Sequence, residues 1–296
     1  LYMLPIRLYY NREIATNNVK KALEIIDNLL ERFNPGVHSW CDLSRQKCAV
    51  LACISLDTAI SELETTLRMA CSFLDSVTIM AQLIDLYSRK GDIASVHNKL
   101  KNIPQLEFFD IYLSAYARTG EMDKYESIWT KYKSAFGHYI AKYYQYKILY
   151  YLVHEEYRKG LNTARDWHKE ELYYPELYHF LRALSVIGLS MYDSAKTEFK
   201  KLNEYPHGIK LLNAVRPGEL ADFVLTPNRA TIRKICYASG RASYYTTEFI
   251  MALNAELKAD YKSAYMYYQN VCKNPARTWP YYNLAKNSLK RLKKFL

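Results

Sequence analysis

The chain has 296 residues, half of them hydrophobic, with only 9 Gly and 9 Pro and a formal net charge of +11. No apolar run approaches the ~18 residues a membrane-crossing helix requires, so membrane insertion is not expected. The six cysteines lack the dense, even spacing of a secreted disulfide framework, which points to a reducing compartment.

Long alternating β-branched runs are absent, and the periodicity predicts an all-α chain. Residues 5–10 read as the end of a helix, and Asn17-Asn18 offers an N-cap for a helix over 19–33 that stops at Asn34-Pro35-Gly36. Helices are predicted over 39–56 and 58–73.

The clearest pattern lies at 77–136, where one stretch is written twice. Met80, Leu83, Ile84 and Tyr87 align with Phe109, Tyr112, Leu113 and Tyr116, followed by Arg89/Arg118, Gly91/Gly120 and Asp92/Glu121. Each copy is an amphipathic helix ended by glycine, with an acidic residue opening a second helix.

Further on, the Tyr-rich segment 138–154 is predicted helical. Residues 155–172 are expected to break at Gly160, with a new helix over 161–171. Pro175 starts a helix that runs over 176–187 and ends at Gly188, and 192–202 forms its partner. Pro206, Gly208, Pro217, Gly218 and Pro227 interrupt 205–228, where short helices are expected at 207–215 and 219–225. Helices resume over 243–258 and from about 261 to 274, and a basic helix closes the chain over 279–295. The organisation is thus helical repeats over 1–204, an irregular insertion or joint over 205–228, and further repeats with a basic capping helix over 229–296. The opening residue, Leu1, leaves room for an upstream transit peptide.

The pattern at 77–136 resembles pentatricopeptide repeats, on Val77-Thr78-Ile79, Leu83-Ile84-Asp85, Tyr87 and Gly91-Asp92-Ile93. Segments 19–35 and 246–275 resemble tetratricopeptide repeats, whose period is about 34 residues. These resemblances imply an α-solenoid of stacked helix–turn–helix units. The first implies an organellar, mitochondrial RNA-binding factor acting in transcript stability, processing or translation, with base-facing positions at Ala81 and Asp110. That family prefers Asn, Ser or Thr at those positions, so a simple base code is not expected. Phosphate contacts from Lys and Arg, with stacking on Tyr rings, are expected instead.

The net charge favours a polyanionic partner. The expected contacts are Lys142, Tyr143 and Lys147 in the Tyr-rich helix and Lys286, Lys290, Arg291, Lys293 and Lys294 in the last one. The 29 tyrosines are otherwise read as rings buried between helices. Two other partners fit the pattern: a protein segment held in a tetratricopeptide-type groove, or a large ribonucleoprotein such as a mitochondrial ribosome. No phosphate loop, HExxH, Gly-x-Ser-x-Gly or CxxC pair occurs, so neither enzymatic activity nor a cofactor is expected. The spacing of His38, Cys41, Cys48 and Cys53 matches no common zinc site.

Overall fold

The computed structural model describes residues 19–135, 139–170, 174–209, 211, 216–226, 241–273, 277 and 279–296. The helix end expected at 5–10 and the cap at Asn17-Asn18 lie outside them. Among the described residues the regular structure is helical. The first eight helices are α1 (Val19–Leu30), α2 (His38–Leu51), α3 (Leu56–Met69), α4 (Phe73–Lys90), α5 (Ile93–Leu100), α6 (Phe109–Thr119), α7 (Met122–Tyr132) and α8 (Ile140–Val153). They are followed by α9 (Tyr157–Lys169), α10 (Pro175–Gly188), α11 (Tyr192–Lys201), α12 (Pro217–Leu225), α13 (Arg241–Leu257), α14 (Tyr261–Cys272) and α15 (Tyr281–Leu292). None is long and apolar enough to cross a membrane.

One turn recurs between these helices. Gly91 and Gly120, the aligned glycines, both take left-handed backbone angles (φ of 83° and 84°), and so do Glu155, Ser190 and Ala259 (φ of 64°, 60° and 59°). In each case the next residue's amide donates to a carbonyl five positions back: Asp92 to Tyr87, Glu121 to Tyr116, Glu156 to Tyr151, Met191 to Val186, and Asp260 to Ala255, at 2.8–3.0 Å. This bond satisfies a carbonyl of the last helical turn that no helical amide can reach. The chain reverses there, giving five hairpins: α4/α5, α6/α7, α8/α9, α10/α11 and α13/α14. Asp92 and Asp260 also cap the incoming helix by accepting the amides of Ser95 and Ser263.

The even-numbered helices α2, α4, α6, α8 and α10 form an unbroken row, each touching the next, while the odd-numbered partners pack chiefly on their sequence neighbours. A helix in such a row needs two apolar faces. In α4, Ile79, Leu83 and Leu86 join a cluster with α2 and α3, whereas Val77, Met80 and Ile84 join the next with α5 to α7. In α8, Tyr143 belongs to that second cluster, and Ile148, Leu149 and Leu152 to the large C-terminal one. In α10 the side chains from Leu177 to Leu181 and from Ala183 to Ile187 are buried without interruption.

The structure corrects two sequence expectations. Helix α9 runs straight through Gly160, which lies against α8 and α10 with Ser185 Oγ and Leu152 as the neighbours a methyl group would meet. Helix α10 does end at Gly188, as expected. This glycine makes room for the Tyr157 ring, which would lie 2.1 Å from an added Cβ, and Ser190 takes the left-handed angle. In the predicted helix over 207–215, residues 207–209 form a turn whose Ile209 amide donates to the buried Glu176 carboxylate (2.7 Å). Residues 210 and 212–215 lie outside the described set.

A side chain in the left-handed region costs about 1–2 kcal/mol that glycine avoids. Ala259→Gly should therefore stabilise the protein by about 1 kcal/mol, and Gly120→Ala should destabilise it by a similar amount. Urea denaturation of both variants measures the two shifts, which should be opposite in sign.

Candidate functional site on the even helix row

Two adjoining cavities open beside the even row, and Arg118 lines both. The first, of about 140 Å³, is bounded by Ala81 and Asp85 of α4, by Asp110, Ser114 and Arg118 of α6, and by Tyr146 of α8. It brings together Ala81 and Asp110, the two expected base-facing positions. The second, of about 130 Å³, lies between Ser88, Arg89 and Arg118 on the row and Arg277, Trp279, Tyr282 and Asn283 of the C-terminal segment.

Asp85 joins the two. Its carboxylate pairs with Arg89 one turn along α4 and with Arg118 on α6. Burial pushes the Arg89 guanidinium down to about 10 and lowers that of Arg118. The Arg118 guanidinium lies over the Trp279 ring, 4.9 Å from its centroid, and that of Arg277 lies 6.0 Å from the Tyr282 centroid. Arg277 is exposed.

The expected contacts in α8 are engaged within the protein. Lys142 Nζ lies 3.0 Å from Asp110, the other expected position. Lys147 pairs with Glu126 (2.7 Å) and donates to the Tyr143 hydroxyl (2.9 Å). Burial alone would lower the pKa of both lysines; their carboxylate partners outweigh it and raise both. Tyr143 is 6% exposed, with its ring stacked 4.3 Å from that of Trp129 and its hydroxyl donating to Glu126. Burial pushes that hydroxyl up to about 12. Its faces are covered, so in this arrangement it offers no stacking platform to a base.

The basic last helix divides. Arg291 turns inward to Glu256, which is fully buried and also accepts from Tyr192 (3.1 Å) and Tyr268 (3.0 Å). Asn287 donates to the Val153 carbonyl at the end of α8 (2.7 Å), and Lys290 pairs with Glu155 of the α8/α9 turn (2.7 Å). Together they fasten α15 across the C-terminal end of α8 and so place Arg277 and Trp279 opposite Arg118. Lys286, Lys293 and Lys294 are exposed and have no ion pair among the described residues.

Sequence reasoning missed Arg89, Arg118, Trp279 and Tyr282 as site residues. The available signal was the alignment itself, which set Arg89 against Arg118, each two positions before its glycine. The four side chains whose spacing matches no common zinc site, His38, Cys41, Cys48 and Cys53, lie in α2 and just after it. His38 lies 2.7 Å from Asp75, and Cys41, Cys48 and Cys53 are buried.

No protein-family model matches this chain, and no curated protein matches it.

Arg291→Ala leaves the Glu256 carboxylate buried without its cation and should cost about 3–5 kcal/mol. The double variant Arg291→Met with Glu256→Gln should recover much of that loss. Thermal unfolding of the two variants separates an ion-pair role from simple loss of packing.

Proposed function

We propose that this chain is an α-solenoid, a superhelix of stacked hairpins of the pentatricopeptide or tetratricopeptide kind, that binds single-stranded RNA and does not catalyse a reaction. On this reading the even helices line the concave side. The compartment is an organelle, the mitochondrial matrix, and the role lies in transcript stability, processing or translation.

The observation that carries the reading is the convergence of Arg89, Arg118 and Arg277 with Trp279 and Tyr282 at the C-terminal ends of α4 and α6, beside the carboxylate of Asp85. Guanidinium groups and aromatic rings side by side are what backbone contact and base stacking require. The exposed Lys286, Lys293 and Lys294 extend the positive surface from the same segment. Helix α8 contributes less, because Lys142 and Lys147 already have carboxylate partners.

That charge balance favours a second reading, a scaffold that grips a protein segment. Between α4 and α8 the row offers paired charges, Asp85 with Arg118, Asp110 with Lys142 and Glu126 with Lys147, with no continuous cationic stripe. If the protein is instead a fixed subunit of a ribonucleoprotein such as a mitochondrial ribosome, it should co-purify with ribosomal RNA at constant stoichiometry.

In a mobility-shift titration with single-stranded RNA at physiological salt, the triple reversal of Lys286, Lys293 and Lys294 to Glu should weaken binding at least about tenfold and flatten its salt dependence. Removing Lys142 and Lys147 as alanines should change it by no more than about twofold, the effect expected of cations already neutralised. Equal losses from both sets, or no binding by the unaltered protein, would contradict this placement.

A further inference from the structure

The geometry points to the cavity between α4, α6 and the segment carrying Arg277 as a phosphate site, taking one backbone phosphate of a single-stranded polynucleotide. This deepens the RNA-binding reading and rests on it for the polynucleotide, though not for the phosphate.

The first ground is charge. Three guanidiniums line the cavity, and the carboxylate of Asp85 is shared between two of them, Arg89 and Arg118. The third, Arg277, has no carboxylate partner among the described residues. Burial makes the charged forms of Arg89 and Arg118 costly, and Arg277, exposed at the edge of the cavity, leaves its charge open to an anion. The lowered pKa of Arg89 and of Arg118, both caused by burial, records the same strain on the charged form.

The second ground is shape. A guanidinium lying over an aromatic ring is held by its face, which leaves its in-plane N–H donors for a ligand. Trp279 holds Arg118 and Tyr282 holds Arg277 in this way, and Arg118, whose Nε donates to Ser114 and whose Nη1 pairs with Asp85, keeps Nη2 for a ligand. A planar fork of donors suits the paired oxygens of a phosphate. Asn283 adds a neutral donor at the wall, and a volume of about 130 Å³ has room for one tetrahedral oxyanion and a few waters. The site is too small for a base, so the base would remain outside.

The third ground is position. Arg89 and Arg118 stand at matching places in two consecutive hairpins, and the cavity adjoins the one lined by Ala81, Asp110 and Tyr146. A strand anchored at the arginines would thus continue along the row.

The test uses the full chain and two probes, inorganic phosphate and a single-stranded oligoribonucleotide. Arg277→Ala is the informative variant, because its exposed side chain makes no ion pair and its loss should leave thermal unfolding unchanged. Titration calorimetry should show saturable phosphate binding to the unaltered protein, weakened about tenfold in Arg277→Ala. Phosphate should also compete with the oligonucleotide, whose affinity falls in the same variant. Absence of saturable phosphate binding, or equal binding by the variant, overturns the site. Phosphate binding that depends on Arg277, together with an oligonucleotide affinity that does not, overturns the polynucleotide as its ligand. If the oligonucleotide fails to bind at all while phosphate still does, the RNA reading falls and the phosphate site stands. Preference for a phosphate-free acidic peptide, through the same arginine, overturns the assignment in favour of a protein partner.

Discussion

The structure depends on one hydrogen bond, made five times, from the amide that follows a left-handed residue to a carbonyl five positions back. It ends a helix without leaving its last carbonyls stranded, and it reverses the chain within a few residues. Because the geometry is the same after α4, α6, α8 and α10, these first helices of successive hairpins arrive side by side. With α2, which packs on α4 at one end, they make the row, and with it comes the division of the core into apolar clusters that consecutive helices share. No single centre holds the chain together; each hairpin buries its face against the next, the arrangement on which the proposed solenoid rests.

The C-terminal end is secured differently. Glu256 is fully buried and meets Arg291, Tyr192 and Tyr268, so four elements converge on one carboxylate. Such a pair contributes little beyond what apolar packing could supply, but breaking it is costly, and it fixes the position of α15. Asn287, by donating to the carbonyl of Val153, ties the same helix to the end of α8. The consequence for function is geometric. With α15 fastened, Trp279 lies under the Arg118 guanidinium and Arg277 faces the row, so a site forms from residues some 160 positions apart in the chain.

The helices were legible in the sequence because most carry an apolar stripe and end on recognisable signals. The turn was legible only where its left-handed residue is glycine, at Gly91 and Gly120. At Glu155, Ser190 and Ala259 the same backbone is taken by residues that give no such signal. Gly160 misled for the opposite reason: there the missing side chain serves close packing of α9 on its neighbours. The site was less legible still. A net charge of +11 says nothing of which cations are already paired, and the partners of Lys142, Lys147 and Arg291 stand on other helices. Tyr143, the aromatic contact expected of α8, is covered by Trp129 across a turn that periodicity does not resolve.

On the proposed reading a ligand meets Arg277, beside Trp279 and Tyr282, where the C-terminal segment meets the row. The most direct measurement is photo-crosslinking of a thiouridine-substituted single-stranded RNA to the full chain, with the attachment sites mapped by mass spectrometry. The account predicts adducts at Tyr146, Trp279 and Tyr282, on the row and the segment facing it. Adducts confined to the outer helices α3, α5 and α7 would contradict it.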